Sequence, residues 1–162
     1  MAQKIEECKP LVVVRIRGTV SAQREARETL DLLHLNHTNH AVLIDSRAAY
    51  KGMLQRVNSY VTYGEPTRET VVMMIKKRAL LAGDKKLTEE YLQKIGYKNI
   101  DDLAADIVSC KVQFGKLPDM QARFRLHPPS KGYKGKIKKG FKAGGEAGYR
   151  GEAINTLVQR MV

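Results

Sequence analysis

The sequence predicts an α/β fold. The first part reads as a small ferredoxin-like β-α-β-α-β sandwich, a three-stranded antiparallel sheet with two helices on one face. A mostly helical C-terminal part with an extended basic loop follows. Three observations predict this. Within the first 66 residues the apolar period switches between two and three-to-four, in the order strand, helix, strand, helix, strand. From residue 67 to 120 only the helical period recurs, between residues that start and stop helices. From Gln121 to Lys142 neither period holds, and Pro128, Pro129, Gly132, Gly135 and Gly140 break the chain.

Each element has its own warrant. Leu11 to Arg17 alternates, with Val12, Val14 and Ile16 on one side, as in a strand with one face buried, and Gly18 ends it. Ser21 can cap a helix whose stripe is Ala22, Ala26, Leu30 and Leu33, with Arg24, Arg27 and Glu28 turned away from it. Polar turn residues precede Ala41 to Ile44, a short apolar run that reads as a second strand. Ser46 then begins a second helix with Ala49, Met53, Leu54 and Val57 inward and Arg47, Lys51 and Arg56 outward. Ser59 to Tyr63 is the third strand, closed by Gly64 and Pro66. With both helices on one side, the other sheet face is left uncovered.

Beyond the sandwich, Thr67 or Thr70 caps a helix carrying Val71, Val72, Met74 and Ile75, and its last turn holds Lys76, Lys77 and Arg78, which suits the helix dipole. Thr88 starts a helix that Gly96 stops, and Asp101 and Asp102 open another with Leu103, Ala104, Ile107 and Val108. A terminal helix presents Ile154, Leu157, Val158 and Met161 on one face and is expected to dock on the body. The resulting division is 1–66, 67–120, 121–150 and 151–162.

The charge narrows the function. Lys and Arg number 29 against 17 Asp and Glu, a formal net charge of +12. Eight of those twelve charges lie between Gln121 and Lys142, where Arg123, Arg125, Lys131, Lys134, Lys136, Lys138, Lys139 and Lys142 meet no acid. Eight like charges repel unless a polyanion neutralises them, and nucleic acid does so with release of counterions. Such a loop has little apolar content and is expected to be poorly ordered alone. Tyr133, Phe141 and Tyr149 are spaced through the same region, and rings among cations either stack on unpaired bases or anchor the loop to its own domain.

Other chemistries find little support. His34, His37 and His40 recur at intervals of three but in a turn flanked by Asn36 and Asn39, so no metal site is read from them or from His127. Cys8 and Cys110 belong to no paired motif, and a reducing, cytoplasmic setting is expected. The glycines from Gly144 to Gly151 follow no strand and contain no Gly-Lys-Ser/Thr, so no nucleotide cradle, cofactor or small-molecule substrate is expected, and no catalytic constellation is recognisable. Val71 to Ile75 is the longest aliphatic run, against the roughly 18 apolar residues of a membrane span, so no membrane partner is expected. The acidic start at Asp101, Asp102 and Asp106 argues against a DNA-reading helix-turn-helix.

Specific residues also carry a family likeness. Val12-Val13-Val14-Arg15-Ile16-Arg17-Gly18, Ala48-Ala49-Tyr50-Lys51-Gly52-Met53 and Val57 through Pro66 resemble the large-subunit ribosomal proteins called number thirty in bacteria and number seven in eukaryotes. Bacterial members stop near residue 66. The continuation through Lys85-Lys86-Leu87-Thr88, Phe124 to Pro129 and Gly144 to Gly151 is similar to the longer archaeal and eukaryotic members, and Pro128-Pro129, Tyr149-Arg150-Gly151 and the brief N-terminal arm look archaeal. The resemblance implies a structural, non-catalytic role. It implies binding to large-subunit ribosomal RNA near the central protuberance, with 5S rRNA a candidate partner beside neighbouring ribosomal proteins. The RNA-binding residues it implies are Arg47, Lys51 and Arg56 on the second helix, then Arg123, Arg125, His127, Lys131, Tyr133, Lys134, Lys136, Lys138, Lys139, Phe141, Lys142 and Arg150. The competing reading is a free-standing enzyme or ligand-sensing domain on the same small sandwich, a fold that hosts many functions. A third is a helical module that recruits proteins.

Overall fold

The computed structural model describes residues 8–162. The elements run β1 (Pro10–Arg15), α1 (Arg24–Leu32), β2 (His40–Asp45), α2 (Ala48–Val57), β3 (Val61–Gly64), α3 (Arg68–Arg78), α4 (Glu89–Ile95), α5 (Ile100–Val108), β4 (Arg123–Arg125), β5 (Lys136–Gly140), β6 (Gly145–Tyr149) and α6 (Ala153–Gln159). The first five are the expected sandwich. Its strands pair antiparallel, with Val13 opposite Val42 on one side and Tyr63 on the other.

The sheet does not stop at three strands. Among the described residues it has six, in the order β4-β2-β1-β3-β6-β5, so the segment expected to be an open loop extends both edges. β4 pairs antiparallel with β2, Phe124 opposite Ala41. β6 pairs parallel with β3, Thr62 opposite Gly148, which a chain can do only after a long crossover, here supplied by the helical part.

Nor is the second sheet face open. Leu11, Val13 and Val42 pack with Leu30, Leu33, Leu54 and Val57 of α1 and α2. On the opposite face Val12, Val14, Ala41 and Leu43 pack with Val71, Met74 and Ile75 of α3, Leu103 and Ile107 of α5, and Ile154 and Leu157 of α6. β1 is therefore buried on both sides, including Arg15, which lies on what its alternation marked as the polar side. The Arg15 guanidinium is satisfied by backbone carbonyls, donating to Leu35 O at 2.8 Å and Asn36 O at 2.6 Å, and so ties the end of α1 to β1. Phe114 and Phe124, both buried, stack at 4.7 Å between centroids and close the core beside β4.

Two helix starts differ from the expectation. Ser21 takes a positive φ of 60°, and α1 begins after Gln23. Ser46 accepts a hydrogen bond from Lys9 N at 2.9 Å, and α2 begins after Arg47, which leaves Ala49 exposed. Thr67 does cap α3, its hydroxyl accepting from Thr70 N, and Gly96 ends α4 in the left-handed conformation. The terminal helix docks as expected, with Ile154, Leu157, Val158 and Met161 all buried.

His40, at the start of β2, is 8% exposed and its Nδ1 has no hydrogen-bond partner among the described residues. Burial first, and then the neighbouring Arg123, His37, Arg125 and Arg15, lower its pKa to about 4. The unfolded chain takes up this proton near pH 6.5 and the folded one does not, so the contribution is whole above pH 6.5 and is lost as pH falls toward 4. Its size is on the order of 3 kcal/mol. Urea unfolding at pH 7 and pH 4.5 should show this drop, and His40→Gln should show a smaller one.

Candidate nucleic-acid interface

Residues 121–150 owe their order to contacts at both sheet edges and along α6. β4 fixes Arg123 and Arg125 beside β2, with Arg125 opposite His40. Beyond it, His127 N donates to Met161 O at 3.0 Å and Ser130 N to Arg160 O at 2.9 Å, so the Pro-Pro stretch runs along the C-terminal end of α6. The Arg160 guanidinium returns the contact by donating to Ser130 O and Gly132 O. Tyr133 donates to Asn39 Oδ1 at 3.2 Å and packs against the core.

β5 is the outermost strand. Ile137 turns inward and Lys136 and Lys138 outward, the alternation of an edge strand, with Lys139 exposed beside them. The chain then doubles back through Phe141–Ala143 to β6, so close that a Cβ at Gly145 would sit 2.0 Å from Lys139 O. Only glycine fits there. Lys131, Lys134, Lys136, Lys138, Lys139 and Lys142 are all exposed and make no ion pair among the described residues. Lysines on an exposed edge also discourage pairing with another strand, yet six unpaired cations with no acid among them exceed what that needs.

The remaining candidates fall into three positions. Arg125 is exposed but bound to Asp84, Nη2 to Oδ1 at 3.0 Å, while Arg123 is half-buried. His127 is exposed and hydrogen-bonded to Arg78, and Phe141 is 37% exposed. Arg47, at the N-cap of α2, and Lys51 and Arg56 within it are exposed, Arg47 pairing with Asp45 at 2.7 Å. That helix covers the first sheet face. The end of α2 reaches β6, since Asn58 Oδ1 is 2.8 Å from where a Cβ on Gly148 would stand.

Arg150 is different. It is 9% exposed, and its Nε and Nη2 bond inside the protein. Nε donates to Thr62 Oγ1 at 2.7 Å, and Nη2 donates to Glu146 O at 2.9 Å and pairs with the Glu146 carboxylate. The Phe141 ring covers the guanidinium at 4.8 Å. Glu146 also accepts from Gly135 N at 2.8 Å. Burial works to raise the Glu146 pKa, but the hydrogen bonds from Arg150 and Gly135 outweigh it and hold the carboxyl below its ordinary range. This pair is the clasp that keeps the β5–β6 region on β3. Sequence reasoning missed Glu146, whose one visible signal is that it carries the only acid near so many cations. Tyr149, 44% exposed, donates to the Glu65 carboxylate at 2.7 and 2.8 Å and lies against Tyr63, so it too is used internally.

An α/β body with helices on both faces of its sheet and one acid-free cationic edge is of the polyanion-binding class. Comparison with known proteins narrows the class. The chain belongs to the ribosomal protein L30p/L7e family, whose model matches residues 11–61, from β1 to the start of β3. The large ribosomal subunit protein uL30 of Thermofilum pendens is 45% identical over 152 residues, 93% of this chain and 97% of its own. That of Archaeoglobus fulgidus is 45% identical over 150 residues, covering 92% and 97%. That of Korarchaeum cryptofilum is 40% identical over 159 residues, covering 98% of each. The likeness to the longer archaeal members is thus found across nearly the whole chain.

Proposed function

We propose that this protein is a structural constituent of the large ribosomal subunit, holding ribosomal RNA in the cytoplasmic ribosome and taking no part in chemistry. Family membership supports the assignment, and the single structural observation that carries the mode of binding is the row of six unpaired lysines from Lys131 to Lys142. Cations that neutralise phosphates fix position and RNA shape without reading a base code, which suits a structural role. In this reading 1–66 supplies the shaped body, 67–120 backs its second sheet face, 121–150 supplies most of the electrostatic affinity, and 151–162 anchors that segment. Arg47 at the start of α2 and Lys51 and Arg56 within it form a second contact, and Phe141 offers a ring for an unpaired base. The site of action is rRNA near the central protuberance, with 5S rRNA and neighbouring ribosomal proteins as further partners.

Sedimentation tests the assignment. In a low-salt gradient of native cell extract the protein should travel with large-subunit particles, and nuclease treatment should release it. Migration as free protein would contradict the reading, and metabolite-induced stabilisation unaffected by loss of Lys131 to Lys142 would favour a ligand-sensing domain instead.

A further inference from the structure

At the opposite end of α3 from its cap lies a second cationic surface. Lys76, Lys77 and Arg78 form the last turn of the helix, and the chain bends so that Leu80 bridges to Lys86. An open groove there is lined by Lys76, Lys77, Arg78, Lys86, Leu87 and the terminal Val162. Arg78 is committed to the protein, donating to Val162 O at 3.1 Å and bonding to His127. Lys76, Lys77 and Lys86 are exposed and make no ion pair among the described residues. Compensation of the helix dipole explains cations in the last turn, but not Lys86, which arrives from a separate segment and faces the same groove.

The Arg78–His127 contact joins this groove to the start of the segment that carries the six lysines. We infer that Lys76, Lys77 and Lys86 grip the phosphodiester backbone of the same ribosomal RNA, as a second hold on it. The inference rests on the RNA-binding reading above and adds three residues that no sequence pattern selected for it. Point charges that reach one groove from two separate segments fit phosphate rather than a base.

The test measures binding of the full chain to purified large-subunit rRNA over a range of salt, for the wild type, for Lys76→Ala/Lys77→Ala/Lys86→Ala and for Lys136→Ala/Lys138→Ala/Lys139→Ala. The first variant should lose about 2 to 3 from the slope of log affinity against log salt, and on the order of 100-fold in affinity at 0.1 M salt. Its melting temperature should match the wild type; if it does not, the Gln versions of the same three sites, which keep the side-chain stems, should show the same loss of slope. A wild-type slope for the α3 variant beside a reduced slope for the β5 variant would overturn this inference alone and point to an acidic protein partner for the groove. Wild-type slopes for both would overturn the RNA-binding reading itself.

Discussion

Replacing Arg150 with Met is expected to lower the stability of the free protein by about 3–5 kcal/mol, the usual cost of removing one partner of a buried ion pair. The reason is geometric. Met fills the volume under the Phe141 ring but leaves the Glu146 carboxylate, 6% exposed, with backbone donors of Gly135 and Lys134 in place of a charged partner, and leaves Thr62 Oγ1 without the Arg150 donor. The charge cannot return to water without opening the β5–β6 region. In the wild type the depressed Glu146 pKa contributes stability that is present above its ordinary value of 4.5 and is lost as pH falls below it. The Met variant should lack that acid-side loss, because protonation then relieves an unpaired buried charge. Denaturant unfolding at pH 7 and pH 4 reads both effects. A variant as stable as the wild type would mean that Arg150 is a surface cation, as its place among the RNA-binding candidates implied.

Substitution of Lys136, Lys138 and Lys139 by Ala is expected to do the reverse. All three are exposed and unpaired, so the melting temperature should stay within the small range of ordinary surface changes. Removing three cations from one another's field even relieves some repulsion. Affinity for large-subunit rRNA at 0.1 M salt should fall on the order of 100-fold, and incorporation into particles with it. The two variants thus separate the segment's internal work from its external work. In the proposed reading Arg150 holds the strand pair on the body and the lysines hold the RNA. A large loss of stability on removing the lysines would mean that this edge belongs to the core rather than to a partner.

How far the sequence reveals this arrangement depends on whether a signal is local. The sandwich is legible because its period changes are local: Val12, Val14 and Ile16 alternate, and Ala22, Ala26, Leu30 and Leu33 recur at helical spacing, and the structure buries all of these. The caps at Ser21 and Ser46 were less secure, since a serine near a helix start has other uses, and Ser46 serves Lys9 instead. β4 and β6 were invisible for a different reason. β4 has three residues, and β6 reads Gly-Glu-Ala-Gly-Tyr, which has low strand propensity; what makes them strands is an edge offered by β2 and β3 from far along the chain. The sheet face that the first 66 residues leave open is covered by α3, α5 and α6, which also come from farther along the chain.

The site divides along the same line. Unpaired lysines are legible because a run of like charge without acids is a property of composition, independent of the fold. Arg150 looked like their companion because its partners are not its neighbours in kind: Thr62 is on a distant strand, and Glu146 sits among glycines that suggest a loop. Arg125 is likewise drawn to Asp84, which belongs to another segment. With Arg123 half-buried and Arg125 paired, six of the eight cations of residues 121–142 are exposed and without an ion pair among the described residues.

That number gives the most direct test of the claim that this edge supplies the electrostatic hold on ribosomal RNA. Log affinity of the full chain for purified large-subunit rRNA, measured against log salt, should have a slope shallower by about 4 to 5 when Lys131, Lys134, Lys136, Lys138, Lys139 and Lys142 are all replaced by Gln. A change of slope smaller than about 1, in a variant that melts like the wild type, would contradict it.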